Sequence, residues 1–238
     1  MNILAFDTTA TAATVAAVQA GNGKITSYSL LTVKNRLTHS ETLMPMARQA
    51  LELMELDCSD IDLFAVSVGP GSFTGVRIGV ATVKGLAYNG AMCAGVSTLD
   101  ALAENLRGVE GTICPVMDAR RNCFYNALFR DGKRLTPDRC ITAEELEKEL
   151  AGSGGKVTLC GDGAELFSSV CSIQTTVASP AALYQNALSV AATALRADEP
   201  GASPYTVFTK AAALSPVYLR KPQAEREYEE RMKEREHS

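Results

Sequence analysis

Three short apolar runs open the chain and predict three successive strands. They cover residues 2–6, 13–18 and 24–33. The first run ends in Asp7, and the second ends at the triplet Gly21-Asn22-Gly23, which is typical of a hairpin turn. We therefore predict an antiparallel succession of three strands at the N-terminus.

A helical periodicity follows the third strand. The apolar positions at helical spacing are Leu43, Ala47, Ala50, Leu51 and Met54. Thr38 and Glu41 have the spacing of a capping box, which marks the start of a helix. Pro45 lies too deep for a regular first turn, so we expect a late helix start or a kink at this residue.

The stretch GPGSFTGVRIG, residues 69–79, predicts a corner between a buried strand and a helix. Residues 63–68 are short, β-branched and apolar on both faces, as in a central strand. The glycines on either side of Pro70 permit close backbone approach, and Ser72 or Thr74 can cap the helix. Free N–H groups and the helix dipole would make this corner a site for phosphate or carboxylate. The alternative is a tight turn without a ligand.

The predicted helix after this corner carries small residues at spacings of about one turn. They are Gly75, Gly79, Ala81 and Gly85. Helical residues four apart lie on one face, so these positions offer flat strips to another backbone. That backbone belongs either to the same lobe or to a partner protein.

The same order of elements recurs in the second half of the chain. A strand at 91–96 and a helix at 98–106 lead to an apolar strand at 112–117, which ends in Asp118 as the first strand ended in Asp7. The elements that follow are strands at 122–129 and 133–140 around the turn Asp131-Gly132, a helix at 142–150 with a capping-box pair at Thr142 and Glu145, and a strand at 157–160 before Gly161-Asp162-Gly163. Residues 180–195 predict one long helix.

A duplicated βββαβα unit predicts an α/β protein with two similar lobes facing each other across a cleft. This is the arrangement of the actin, sugar kinase and Hsp70 type of fold, which is RNase H-like. We expect an N-terminal lobe at residues 1–97, a C-terminal lobe at 98–220 and a mobile charged tail at 221–238.

The composition excludes several classes of function. The chain has 238 residues and a net charge of −4, so it lacks the positive field that would bind nucleic acid unaided. Its seven cysteines show no C-x-x-C spacing and indicate reduced thiols. Since no apolar run approaches the roughly 20 residues that span a bilayer, we expect a cytoplasmic protein without a membrane role.

Several uncommon strings occur in an order that resembles the bacterial TsaB (YeaZ) family. They are DTTATAATVA from Asp7, HSETLMP from His39, VGPGSFTGVRIG from Val68, VKGLA from Val83, STLDALA from Ser97, MDARRNCFY from Met117 and SPVYLR from Ser215. The resemblance covers nearly the whole chain. It implies a non-catalytic partner of TsaD, the enzyme that transfers threonylcarbamoyl to adenosine 37 of tRNAs that read codons beginning with A.

The resemblance also implies how the complex is assembled. TsaD is the expected heterodimer partner, the ATPase TsaE completes the assembly, and tRNA is bound only through the complex. Docking through the first and corner helices would use His39, Leu43, Met46, Ala50, Gly75, Gly79, Thr82 and Val83. Whether the chain forms a homodimer when TsaD is absent stays open.

The cleft offers a second set of candidate residues, which would contact phosphate. They are Asp7, Thr8, Gly71, Ser72, Phe73 and Thr74. In active enzymes of this fold the acid after the first strand orders magnesium, but no glycine follows Asp7 or Asp118 to let a phosphate approach. We therefore expect no required cofactor, weak nucleotide binding at most, and a structural role for Asp7 in capping its turn.

Two enzyme classes remain as alternatives. An autonomous ATPase or kinase would use Asp7, Asp118 and the glycine corner. A metalloprotease would need bound zinc, yet the first helix carries His39 alone and the other histidine is His237 in the tail. Because neither a Cys-His pair nor a G-x-S-x-G motif is present, we expect no catalytic residue.

Overall fold

The computed structural model describes residues 1–35, 38–199 and 202–220. The strands are β1 (Asn2–Asp7), β2 (Ala13–Gly21), β3 (Lys24–Val33), β4 (Leu63–Gly69), β5 (Met92–Ser97), β6 (Thr112–Asp118), β7 (Cys123–Asn126), β8 (Phe129–Arg130), β9 (Lys133–Arg134), β10 (Arg139–Thr142), β11 (Val157–Cys160), β12 (Thr176–Val177) and β13 (Val207–Lys210). The helices are α1 (His39–Glu52), α2 (Phe73–Leu86), α3 (Thr98–Glu104), α4 (Ala143–Gly152), α5 (Ala164–Val170), α6 (Pro180–Leu183) and α7 (Ala187–Leu195). The predicted charged tail, residues 221–238, lies outside the described ranges.

The first lobe is built on a six-stranded sheet in the order β13-β5-β4-β1-β2-β3. Strands β1, β2 and β3 are antiparallel neighbours, whereas β4 runs parallel to β1 and β5 parallel to β4. The central strands β1 and β4 are almost fully buried, which explains their continuous apolar sequence. The predicted opening of three antiparallel strands is therefore confirmed.

The second lobe repeats this plan with a seven-stranded sheet in the order β10-β7-β6-β11-β12, in which β8 also pairs with β6 and β9 with β8. Its first strand, β6, again lies at the centre, with β7 antiparallel on one side and β11 parallel on the other. The duplicated two-lobe α/β fold of the actin type is thus confirmed.

Helices cover both faces of the first sheet. On one face α1 and α2 share a core in which Leu43 and Val80 pack with Phe64. On the other face α7 packs Val190 and Ala191 against the central strands. The helix α3 connects the lobes, because its leucines form a core with residues of β6 and β8.

Both predicted capping boxes are present. The Thr38 N–H donates to the Glu41 carboxylate at 2.9 Å, and the Thr142 N–H donates to that of Glu145 at 2.9 Å. The helix α1 nevertheless begins at His39 and contains Pro45 in its interior, so a late start at Pro45 was wrong. The capping box fixes the first turn ahead of the proline.

Three further predictions need correction. The helix predicted at 180–195 is two helices, α6 and α7, since the chain is extended at Tyr184 and Asn186. The strands predicted at 122–129 and 133–140 are each broken, so the turn at Asp131-Gly132 joins only the short β8 and β9 while β7 pairs with β10.

The third correction concerns the lobes. The sequence placed residues 98–220 in the second lobe, but β13 pairs with β5 and α7 packs on the first sheet. The chain therefore returns to the first lobe after completing the second. No helix in the three described ranges has both the length and the apolar character needed to cross a membrane.

Candidate functional site

The carboxylate of Asp7 is enclosed at the end of β1. One oxygen accepts hydrogen bonds from the Thr9 N–H at 2.8 Å and the Thr9 hydroxyl at 2.7 Å, and the other accepts from the Ser67 hydroxyl at 2.5 Å. The side chain has no solvent exposure, and burial raises its pKa above the ordinary value of 3.8 against the opposing effect of these hydrogen bonds. Asp7 therefore closes a turn within the first lobe, and its predicted contact with phosphate stays a prediction.

Thr8 joins this turn to the corner helix. Its hydroxyl donates to the Gly75 carbonyl at 2.7 Å, and the residue is fully buried. A Cβ on Gly75 would lie 1.9 Å from the Thr8 carbonyl oxygen, and one on Gly79 would lie 2.6 Å from the Thr8 hydroxyl oxygen. Because Gly75 and Gly79 have no side chains, the turn after β1 can pack directly against α2.

Most of the predicted partner-binding residues are buried in the isolated chain, and their contact with a partner stays a prediction. The candidates that lie inside the first lobe are Leu43, Met46, Ala50, Gly75, Gly79 and Val83. His39 is half-buried, and its Nε2 lies 2.8 Å from the Ala10 carbonyl oxygen. Only Thr82, also half-buried, lies toward the outer side of α2.

The corner before α2 is covered by a C-terminal segment that we call the strap, residues 215–220. The Val217 N–H donates to the Val68 carbonyl at 2.7 Å. The Tyr218 ring stacks on Phe73 with centroids 4.6 Å apart, and its hydroxyl accepts from Arg77 at 2.8 Å. The strap therefore lies against both the end of β4 and the first turn of α2.

Some of the polar groups at the start of α2 already have hydrogen-bond partners within the first lobe. Ser72 is the N-cap, and its hydroxyl accepts from the Gly75 N–H at 3.3 Å, while the Ser72 N–H donates to the Thr9 carbonyl at 2.7 Å. A Cβ on Gly71 would lie 2.6 Å from that same carbonyl oxygen, so the glycine permits this approach.

A cavity of about 340 Å3 lies between the two lobes beside this corner. Among the predicted phosphate-binding residues, Gly71, Ser72 and Phe73 line it, and their contact with phosphate stays a prediction. Thr8 is enclosed behind the turn, and Thr74 is exposed away from the cavity wall.

The second lobe contributes charged residues to the same cavity. Asp118 accepts a hydrogen bond from the Arg120 N–H at 2.7 Å, which repeats the turn made by Asp7. Asp162 lies opposite, and burial raises its pKa to about 6, with the neighbouring Asp118 carboxylate adding to the shift. One Asp162 carboxylate oxygen is buried without a hydrogen-bond partner. Arg220 of the strap donates to the Ala119 carbonyl at 2.6 Å.

Four residues that line this cavity have no sequence motif that predicts a role for them: Arg120, Asp162, Tyr218 and Arg220. The string SPVYLR was the available signal for the strap, but it carried no indication of its position. Within the described parts of the chain, no three His, Cys, Asp or Glu side chains are grouped as metal ligands.

A second cavity, of about 200 Å3, lies beside a buried ion-pair cluster. Arg134 contacts the Asp100 carboxylate at 2.7 Å and that of Asp138 at 2.6 Å, and its guanidinium lies over the Tyr205 ring at 4.4 Å. Burial raises the pKa of Asp100 despite the adjacent guanidinium. The single guanidinium bridges the two carboxylates, so the cluster joins the β8–β9 hairpin to α3.

The chain is similar to known proteins in both sequence and fold. A family model described as TsaD, tRNA N6-adenosine threonylcarbamoyltransferase, matches residues 34–228. The "tRNA threonylcarbamoyladenosine biosynthesis protein TsaB" of Bacillus subtilis (strain 168) is 35% identical over 146 residues, which are 59% of this chain and 62% of that protein. The protein of the same name from Escherichia coli (strain K12) is 33% identical over 55% of each chain. The matched regions thus span less than two thirds of these two relatives.

Other matches cover more of the chain, and two solved structures have the same fold. An uncharacterized protein of Mycobacterium tuberculosis (strain ATCC 25618 / H37Rv) is 31% identical over 93% of each chain. The structure titled "YeaZ from Pseudomonas aeruginosa" superposes with a TM-score of 0.70 at 24% identity and covers 92% of this chain and 99% of its own. A second structure, of an uncharacterized protein with similarity to peptidase YEAZ from the same species, gives 0.74 at 23% identity, with the same coverage. Because the family model spans most of the chain and the named relatives are TsaB proteins, the chain belongs to the TsaB (YeaZ) branch of the TsaD family.

Proposed function

We propose that this chain is a non-catalytic subunit that a TsaD-type transferase requires to form threonylcarbamoyladenosine in tRNA. The observation that carries the proposal is the burial and internal hydrogen bonding of Asp7. The acid that holds magnesium in active proteins of this fold here accepts three internal hydrogen bonds and is fully buried. A carboxylate so engaged has no free oxygen directed into the cleft for a metal ion.

The outer side of α2 is the surface we assign to the TsaD partner. Its residues are Thr74, Ile78, Ala81, Thr82 and Gly85, which are exposed or half-buried. They are small or apolar and carry no charge, so a facing helix could approach closely without stripping water from an ion. A Cβ on Gly85 would meet no atom within 4 Å, which supports open space above this end of the helix.

The remaining components of the proposed complex are those that the family resemblance implies. TsaE joins the assembly as the ATPase, and tRNA reaches the complex through the partner because the chain has a net charge of −4. The same uncharged helix face would support self-association when TsaD is absent. A role in tRNA modification places the protein in the cytoplasm.

Reconstitution with purified TsaD and TsaE tests the proposal. Each combination of proteins is incubated with tRNA, ATP and threonylcarbamoyl-adenylate. The modified adenosine is then measured by mass spectrometry. We expect product only when this chain and TsaD are both present. Product formed by this chain without TsaD would refute the non-catalytic assignment.

A pair of charged variants tests the surface. Ala81→Arg places a guanidinium on the proposed face, and Leu166→Arg places one on the exposed side of α5 in the second lobe. We expect Ala81→Arg to lose co-elution with TsaD and Leu166→Arg to keep it, with both isolated variants folded. Equal co-elution of the two would refute this choice of surface but not the requirement for the chain.

The cavity between the lobes favours a second candidate, an autonomous ATPase. Asp118 and Asp162 face this cavity together with Arg120 and the corner residues, so a magnesium nucleotide has polar groups to meet. We propose weak binding without hydrolysis, since the Asp7 carboxylate is enclosed. Calorimetry with magnesium and ATP measures nucleotide binding, and phosphate release measures hydrolysis. Turnover by the pure chain would favour the ATPase over a subunit that binds nucleotide weakly without hydrolysis.

A further inference from the structure

Three arginines meet at the mouth of the cavity between the lobes, although the chain as a whole has a net charge of −4. Arg77 of α2 donates through Nε to the Tyr218 hydroxyl at 2.8 Å, and its guanidinium lies 3.9 Å from the centroid of the Phe73 ring. Arg220 of the strap donates through Nη1 to the Arg120 carbonyl at 3.3 Å. Apart from Arg77, all these residues line the cavity, so the three arginines border one opening. We call them the arginine cluster.

The positive charge of the arginine cluster is only partly compensated. A carboxylate oxygen of Asp118 lies 4.0 Å from the Arg120 Nε, but 34% of the Asp118 side chain is exposed against 86% of the Arg120 side chain. Asp162, the other acid of the cavity lining, is half-buried. Within the described ranges neither Arg77 nor Arg220 forms an ion pair with a carboxylate. Guanidinium donors thus remain for an anion at this surface.

The turn that carries Arg120 is strained. Arg120, Arg121 and Asn122 have φ angles of 66°, 56° and 57°, a left-handed conformation that residues with side chains seldom adopt. The Asp118 carboxylate holds the start of this turn by accepting from the Arg120 N–H at 2.7 Å. Strain of this kind is concentrated at functional sites in proteins, and glycine would relieve it here. The side chains of this turn therefore have a use that the backbone does not require.

The first lobe makes the corresponding turn without arginines. Asp7 accepts from the N–H two residues later, as Asp118 does in the second lobe. The residues in the places of the strained turn are Thr9, Ala10 and Thr11, which carry no charge and have no positive φ. Because the first turn forms without them, the arginines are not needed to close a turn after the first strand of a lobe.

Arginines beside exposed aromatic rings are the combination that binds single-stranded nucleic acid. Arginine pairs with phosphate through parallel N–H donors, and unpaired bases stack on aromatic rings. In the arginine cluster the Tyr218 ring is 41% exposed and is held by its stacking on Phe73. The opening of the cavity thus offers both kinds of contact to an unpaired nucleotide.

We propose that the arginine cluster binds the phosphate backbone of single-stranded RNA. This inference rests on the proposed function, in which the partner brings tRNA to the complex, and it adds a direct contact between that RNA and this chain. Since the chain as a whole is acidic, the arginine cluster alone binds RNA weakly and with a strong dependence on salt. The competing occupant is a small anion such as ATP, which the cavity of about 340 Å3 would take without any RNA.

Binding of tRNA by the complex of this chain with TsaD tests the proposal. Arg120→Glu reverses a charge of the arginine cluster, and the matched control Lys133→Glu makes the same change at an exposed residue of the β8–β9 hairpin. We expect Arg120→Glu to raise the Kd for tRNA about tenfold and to reduce the slope of log Kd against log salt by about one. Lys133→Glu should leave both nearly unchanged, and both variants should still co-elute with TsaD.

A second measurement does not depend on the partner. The isolated full chain is titrated into fluorescently labelled oligouridine at low salt, and the anisotropy is followed. We expect weak, salt-sensitive binding that Arg77→Ala and Arg120→Glu reduce and Lys133→Glu keeps. Failure of the chain to associate with TsaD would refute the proposed function, and oligouridine binding would still decide the role of the arginine cluster.

Three results would overturn the RNA proposal. The first is an unchanged affinity for tRNA in the Arg120→Glu complex with co-elution intact. The second is an equal loss of RNA binding in Lys133→Glu, which would indicate only the total charge. The third is a loss of ATP binding in Arg120→Glu without any loss of RNA binding, which would assign the arginine cluster to a small anion.

Discussion

A methyl group added at Gly79 should destabilise the chain, whereas the same change at Gly85 should stabilise it. Both glycines lie in α2, and only their surroundings differ. A Cβ at Gly79 would lie 2.6 Å from the Thr8 hydroxyl oxygen and 3.2 Å from Val66 Cγ2. A Cβ at Gly85 meets no atom within 4 Å.

The magnitudes follow from these distances. Alanine gains about 1 kcal/mol over glycine as a helix former at either position. At Gly79 the added methyl group overpacks a closed site, which costs about 1–3 kcal/mol. It also displaces the Thr8 hydroxyl from the Gly75 carbonyl, which costs about 1 kcal/mol more. We therefore expect Gly79→Ala to lose about 1–3 kcal/mol and Gly85→Ala to gain about 0.5–1 kcal/mol.

Thermal unfolding of the isolated variants measures both effects. For a chain of this size, 1 kcal/mol corresponds to about 2–4 °C in Tm, so the two variants should shift in opposite directions by several degrees. Gly79→Leu should unfold at a lower temperature than Gly79→Ala, since its side chain is larger. Equal increases in Tm for Gly79→Ala and Gly85→Ala would refute the contact between α2 and the first turn.

Three further predictions concern buried charges. Asp7→Ala leaves three buried donors without their acceptor and should cost about 2–4 kcal/mol in urea denaturation; an unchanged midpoint would contradict the enclosed turn. Asp162 has a native pKa raised from 3.8 to about 6, so its contribution to stability is present below pH 3.8 and is lost as the pH rises through 6. Asp162→Asn should therefore be more stable than wild type by up to about 3 kcal/mol at pH 7.5 and by nothing near pH 3.5, and a constant difference would refute this linkage. Arg134→Met leaves two buried carboxylates unpaired and should cost about 3–5 kcal/mol, whereas a loss below 1 kcal/mol would show that the cluster is solvated.

Helices and strands were predicted correctly where the contacts that define them lie close together in the sequence. The capping pair at Thr38 and Glu41 marked the start of α1 correctly, because all its hydrogen bonds form within one turn. The alternation of apolar runs and hairpin turns likewise predicted β1 to β3. The glycine corner was also located, since its buried strand and helix are adjacent in the chain.

The orientation of α2 could not be predicted in the same way. Small residues at Gly75 and Gly79 are equally suited to a partner helix and to a turn of the same lobe. The choice depends on Thr8, which is far away in the sequence and has no periodicity that indicates its contact. The pairing of β13 with β5 was missed for the same reason, because the strands are separated by the whole second lobe.

The strap links three parts of the molecule that the duplicated fold would otherwise leave to move separately. Val217 bonds to the end of β4, Tyr218 stacks on the first residue of α2, and Arg220 donates to the turn after β6. The first two contacts lie in the first lobe and the third in the second. Rotation of the lobes apart would therefore break a hydrogen bond or pull Tyr218 from its ring partner. Because the strap also covers the glycine corner, a ligand that reaches the corner amides must either fit the existing cavity or displace these contacts. The cleft of this chain is thus restricted by its own C-terminal segment as well as by the enclosed turn at Asp7.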